Sequence, residues 1–200
     1  MDADRLGPAR MPGGLLLEGG LRLTVHPITP ASKPMIAAAM ARLSPESIRR
    51  RFHAPRRELS EAELHRLTSL DGWNHYALGA CTSGARGTVE GVAVARFART
   101  EPGGESAEVA ITVVDALQGR GIGRALLQQI AEAARARGVR RLHAAVLPDN
   151  APVIALLRSL APWARWRRDG YQLVADIPLP EPLRPPLTRP FAGMARPLPA

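Results

Sequence analysis

Apolar and polar positions along this chain follow two periods. Residues 21–25 alternate apolar with polar and read as a strand. Residues 75–81 and 88–98 read as successive strands joined by a turn at 84–87, and 107–114 as another. Helical patterning falls between and after them. Residues 31–43 are rich in Ala and Met, and Ser44-Pro45-Glu46 restarts a helix with a cap, a first-turn proline and an acid. Ser60 and Glu63 form a capping box for a short helix. From 121 to 137, Ile122, Leu126, Ile130 and Ala133 share one face, and Gly138 ends the run. Residues 139–147 read as a strand. A second late helix over 150–160 presents Val153, Leu156, Leu157 and Leu160, and residues 163–166 and 171–177 close the pattern as two strands. Strands with interspersed helices imply an α/β fold with a mixed sheet.

The domain expected from this pattern spans 21–177. Residues 1–20, with repeated Gly and Pro, read as a flexible lead-in, and 178–200 as a Pro-rich disordered tail. Two hundred residues suit one such domain. No apolar run of about 18 residues offers a membrane span, and the N-terminus lacks signal-peptide patterning. One cysteine, Cys81, in an apolar run, reads as a buried thiol in a cytoplasmic protein. The net charge of +9 raises nucleic acid as a partner. The absence of basic stretches interleaved with aromatics argues against it. Nearly all of the positive charge is arginine, Lys33 being the only lysine, and the charge suits an anionic cofactor or an acidic partner surface.

The chemistry concentrates where strand 107–114 meets helix 121–137. Glu108 lies on the strand, and Gly119, Gly121 and Gly123 alternate in the loop after it. A glycine-rich turn at a helix N-terminus exposes backbone N–H groups that bind phosphate or pyrophosphate. A dinucleotide fingerprint would place the third glycine one residue later, in the first βα unit. A P-loop would need Gly-Lys-Ser/Thr. The spacing that fits is Gln-x-x-Gly-x-Gly, as Gln118, Gly121 and Gly123.

With that motif between strand and long helix, the chain resembles the GNAT N-acetyltransferase superfamily. The resemblance implies a GNAT-type acyl-CoA N-acyltransferase fold with acetyl-CoA as acyl donor; no metal is expected, on the spacing of the histidines. It implies pantetheine contacts near Val113 and Val114. It implies pyrophosphate contacts from Gln118, Gly119, Arg120, Gly121, Ile122, Gly123 and Arg124, and a further contact from Asn150, which also reads as the N-cap of the late helix. Residues 43–52, 59–64, Asp71, His75 and 107–110 are similar to the Pat-type bacterial protein lysine acetyltransferases. This implies protein lysines as acceptors, an acyl-CoA synthetase among them, and Glu108 as general base, often acting through water. Apolar neighbours on the Glu108 face would raise its pKa. The tyrosine that many members use to protonate the departing thiolate is replaced by Leu157, and the usual Gly-Phe after the late helix by Ala161-Pro162-Trp163. His75 reads by default as structural, and His53, His65 and His143 lack metal-ligand spacing. The alternatives are a small-molecule amine acetyltransferase, with a narrow acceptor pocket built from 44–75, and a silent acyl-CoA-binding module.

Overall fold

The computed structural model describes residues 14–17, 20–54, 56, 58–83 and 88–180. The strands are β1 (Gly14–Leu16), β2 (Arg22–Pro27), β3 (His75–Ser83), β4 (Val89–Arg99), β5 (Ser106–Val113), β6 (Arg141–Val146), β7 (Arg165–Asp169) and β8 (Gln172–Pro178). The helices are α1 (Lys33–Met40), α2 (Pro45–Phe52), α3 (Glu61–Thr68), α4 (Ile122–Ala136) and α5 (Ala151–Leu160). One mixed sheet runs β1-β2-β3-β4-β5-β6-β8-β7, antiparallel except for the parallel pair β5 and β6.

The sheet extends beyond the expected boundaries at both ends. It begins at Gly14 rather than Leu21, because β1 pairs with β2 inside the segment expected to be loose. At the other end β8 includes Pro178, and the buried Leu179 donates its N–H to the Arg140 carbonyl at 2.8 Å. The turn expected at 84–87, most of the lead-in and the tail from 181 lie outside the described residues.

Side-chain alternation divides the sheet into two faces. Phe97 and Val109, opposite one another on β4 and β5, face α4 and join Leu126 and Ile130 in the core. The buried stripe of α4 includes Leu127 and Ala134, with Ala133 only partly covered, so the stripe is rotated slightly from the expected one. The other face carries Val94, Arg96 and Thr112, and α1, α2 and α3 cover it. Cys81 is buried there, its Sγ 3.1 Å from the Met35 Sδ, and burial raises its thiol pKa. Lys33, at the start of α1, pairs with Glu61 at the start of α3. Asp71 accepts the N–H groups of Trp73 and His75, which makes His75 part of a structural turn.

The caps read from sequence form as expected. Ser44 Oγ accepts the Ser47 N–H at 3.2 Å, and Ser60 and Glu63 bond reciprocally. Ser44 also binds a partner distant in sequence. Asp115, just after β5, accepts from the Ser44 N–H at 2.9 Å and from the Ser44 and Ser47 hydroxyls at 2.8 Å each. One carboxylate therefore ties the start of α2 to the segment that leads into the glycine loop. Burial alone would raise the Asp115 carboxyl, but the three bonds outweigh it and hold its pKa below the ordinary value.

A carboxyl lowered in the folded state contributes stability above its unfolded pKa of roughly 4, and loses it as pH falls through the folded value. Asp115→Ala is therefore expected to lower unfolding free energy at pH 7 by about 2 kcal/mol. Urea titrations at pH 7 and pH 3 should show a smaller gap between variant and wild type in acid. An equal gap at both pH values would refute the assignment.

Candidate active site

The site arises because β5 and β6 start as neighbours and then separate. Their pairing covers only Ser106 to Glu108 against Arg141 to His143. Beyond it, β5 continues to pair with β4 through Val113. The Val114 N–H donates to the Val92 carbonyl at 2.9 Å. By the alternation of an antiparallel ladder, the N–H groups of Ile111 and Val113 therefore point away from β4, into the opening. Both backbone groups of Val114 are engaged inside the protein, since Leu117 donates to its carbonyl at 3.0 Å, and its side chain is buried. This corrects the expected donor contacts: Val113 faces the opening and Val114 does not.

The opening continues as a groove of about 280 Å³ between β5, the glycine loop and α5. Its lining includes Gln118, Gly119, Gly121, Ile122, Gly123, Arg124 and Asn150. Gly119 and Gly121 are left-handed, with φ of 74° and 81°, where L side chains are strained. Gly123 has a different role: a Cβ there would lie 3.2 Å from Leu156, so it lets α4 approach α5. The first bond of α4 runs from the Ala125 N–H to the Gly121 carbonyl at 3.1 Å, and the N–H groups from Gly119 to Arg124 go to no backbone carbonyl among the described residues. Together they form a positive cradle at the N-terminus of a long helix. Ile122 contributes only its backbone, its side chain being in the core.

Gln118 braces the loop, its amide donating to the Val113 carbonyl at 3.1 Å and to the Ser47 hydroxyl at 3.3 Å. Arg124 lies on the groove rim and bonds the Ser159 hydroxyl on α5. The Arg120 side chain is exposed and does not line the groove, so Arg120 joins the cradle through its backbone N–H. Asn150 stands at the N-cap position of α5, its carbonyl accepting the Ile154 N–H at 3.1 Å. Its side chain is buried, makes no capping bond and lines the groove. A buried amide left free by its helix is available to a ligand.

Glu108 opens onto an adjoining cavity of about 60 Å³, with Arg50, Arg51, His53, Asn150 and Leu157 in its lining. Its surroundings differ from the expected apolar ones. Glu108 is exposed, and its charge acts on Arg51, Arg96 and His53, opposing the burial that lowers all three. Leu157 is buried in the wall, a side chain with no proton to give.

His53 belongs to this cavity although its spacing in the sequence gives no sign of it. It ends α2 in a left-handed conformation, φ 55°. Its Nδ1 faces the Gln172 amide at 2.5 Å, and with that amide donating, the proton of the neutral ring lies on Nε2. Burial, then the charge of Arg51, lower its pKa. His65 and His143 lie elsewhere, beside Ser69 and Asp176. Among the described residues no group of three or more His, Cys, Asp or Glu is placed to hold a metal ion, and no helix is long and apolar enough to cross a membrane.

Comparison with known proteins places these features in a lineage. Residues 44–161 match the acetyltransferase (GNAT) family model. The acetyltransferase Pat of Mycolicibacterium smegmatis is 34% identical over 157 residues, covering 77% of this chain and 45% of that protein. The chain thus spans about half the length of that curated relative. Among solved structures, the GNAT domain of S. lividans PAT superposes with a TM-score of 0.77 at 33% identity, covering 86% of this chain and 99% of that one. A cAMP-binding acyltransferase from Mycobacterium smegmatis gives a TM-score of 0.59 at 29% identity, over 85% of this chain and 48% of that one. A Salmonella typhimurium protein solved with its cofactor acetyl-CoA shares the fold alone, at 19% identity and a TM-score of 0.62 over 82% of this chain and 97% of that one. With the parted strands, the amide cradle and these matches together, the chain belongs to the GNAT acetyltransferase family.

Proposed function

We propose that this protein is an acetyl-CoA-dependent N-acetyltransferase that modifies lysine side chains of proteins by direct transfer, with Glu108 as general base. The observation that carries this reading is the parting of β5 from β6 immediately after Glu108. It leaves the outward N–H groups of Ile111 and Val113 facing the opening between the carboxylate and the Gly119–Arg124 amides, where an extended arm ending in a pyrophosphate would lie. The kinship with Pat and the acetyl-CoA bound by a protein of the same fold support the choice of donor and acceptor.

In this reading the loop amides hold the pyrophosphate, and Val113 and Asn150 line the path of the pantetheine. A lysine ammonium has a pKa near 10.4 and must lose a proton before it attacks. Glu108 accepts that proton, directly or through a water. The amine nitrogen then bonds the thioester carbon, and the outward N–H of Val113 holds the oxygen as it gains charge. Collapse breaks the C–S bond. The thiolate is stable enough near neutrality to leave without a tyrosine at the Leu157 position. His53, with its proton on Nε2, adds a neutral donor beside the reacting atoms.

A second reading draws on a specific observation. The roof formed by α1, α2 and α3 covers a mostly apolar cavity of about 80 Å³ lined by Met35, Phe52 and Leu67, with Arg51 and Arg96 also in its wall, which has room for a small acceptor.

An assay of CoA release and label transfer with acetyl-CoA, using proteins including an acyl-CoA synthetase beside small amines, separates these readings. Transfer to protein lysines supports the first, and transfer only to amines supports the second. Donor binding without transfer supports a silent module. Glu108→Gln should lower kcat/KM at pH 7 by about 10²- to 10⁴-fold, and the gap should narrow toward pH 10 as amines lose their own protons. Full activity at pH 7 would remove Glu108 from the base role. Gly121→Val places a branched side chain at φ 81°, and calorimetry should show donor affinity reduced at least tenfold if the loop is the cradle.

A further inference from the structure

Three consecutive arginines leave α2, and they are held differently. Arg49 pairs with Glu46 and Asp149. Arg50 pairs with Glu46 at 2.8 Å and donates to the Asp149 carbonyl at 3.3 Å. Arg51 turns inward, its guanidinium 5.2 Å from the Phe52 ring centroid, and donates no hydrogen bond to any acceptor among the described residues. On the sheet below, Arg96 faces the same cavity under α1 to α3 and likewise donates none.

The position of this pair gives it meaning. Arg51 lines the donor groove, the Glu108 cavity and the apolar cavity, so the three meet at its side chain. Thr112 also lines both the donor groove and the apolar cavity. Burial draws the Arg51 pKa down to about 10 and lowers that of Arg96, and each remains a cation at pH 7. Arg96 adds to the lowering of Arg51 by repulsion. Among the described residues Glu108 is the one acid whose charge acts on both, and it forms no ion pair with either. Two half-buried guanidinium groups with no acceptor among the described residues, beside one carboxylate, leave the pocket short of one negative charge, and such groups bind carboxylates in strong, directed bonds.

We propose that Arg51 and Arg96 form a carboxylate receptor at the junction of the donor groove and the acceptor cavity, taking either the free acid end of a dicarboxylic acyl group on the donor or a carboxylate carried by the acceptor. The inference rests on the donor groove assigned above. A chain of two or three carbons beyond the thioester would run past Thr112 into the apolar cavity, which holds several water-sized groups. A carboxylate on the acceptor would enter the same place from the Glu108 side.

The test uses the full chain with matched pairs of compounds. For the donor source, the affinities of succinyl-CoA and butyryl-CoA are measured by calorimetry, a readout that requires no turnover. For the acceptor source, acetyl-CoA is held constant, and transfer to 4-aminobutyrate and to a Glu-flanked lysine peptide is compared with butylamine and an Ala-flanked peptide. In one of the two arms the carboxylate compound should be favoured by about tenfold or more, consistent with a charge-assisted pair. Arg96→Met and Arg51→Met should each bring that ratio close to one, and Arg96→Lys should restore part of it. Circular dichroism and the unfolding temperature check that each variant is folded. Equal handling of all matched pairs by the wild-type protein overturns the receptor, as does a preference that survives both methionine variants. If no compound is turned over but the succinyl preference in binding disappears in the variants, the transferase reading fails and the receptor stands. If acetyl transfer proceeds with no preference in either arm, the receptor fails and the transferase reading stands.

Discussion

The separation of β5 from β6 governs the functional half of this molecule. A parallel pair normally satisfies its backbone groups along its whole length. Here the pairing stops after Glu108, and the outward N–H groups of Ile111 and Val113 are left beside a groove instead of a strand. Unpaired backbone has a cost when buried, and it persists where water or a ligand supplies the missing partners. The same opening gives α4 a free N-terminus, gives Asn150 a space to face and exposes Glu108 at the fork.

Asp115 makes that opening part of a site with two sides. Through it, the helix bearing Arg50, Arg51 and His53 is tied by three hydrogen bonds to the segment that introduces the glycine loop. Gln118 closes the circuit through Ser47. The two sides of the site are thus joined by one short polar network.

The fold was largely legible in the sequence because its signals are local. Ser44, Ser60 and Gly138 terminate helices through bonds within a few residues, and the strand alternations needed no knowledge of their partners. The glycine loop was legible for a related reason, since positive φ at Gly119 and Gly121 leaves a compositional mark. What could not be read depended on register and long-range approach. Val114 and Val113 differ only in which neighbour their amides face, and β4 decides that. Arg120 and Arg124 look alike in sequence, yet only Arg124 reaches the groove. The surroundings of Glu108 come from α2 and β4, far away along the chain, so a neutral-looking strand face acquired arginines. His53 carried no spacing signal because its partner Gln172 arrives from β8. Asp115 was likewise silent, its partners lying 71 and 68 residues away.

The charge of the chain takes on another meaning beside a site read as acylating lysine. Lys33 is the only lysine, and its ammonium is held against Glu61. Every other cationic side chain fixed at neutral pH is an arginine, whose guanidinium keeps its proton and is a poor nucleophile toward a thioester. A lysine-rich surface would be a substrate for its own catalyst and would lose charge with each stray turnover. In that reading the positive field is kept in a form that such chemistry would not erase, and the attraction for an anionic donor would not decay with use.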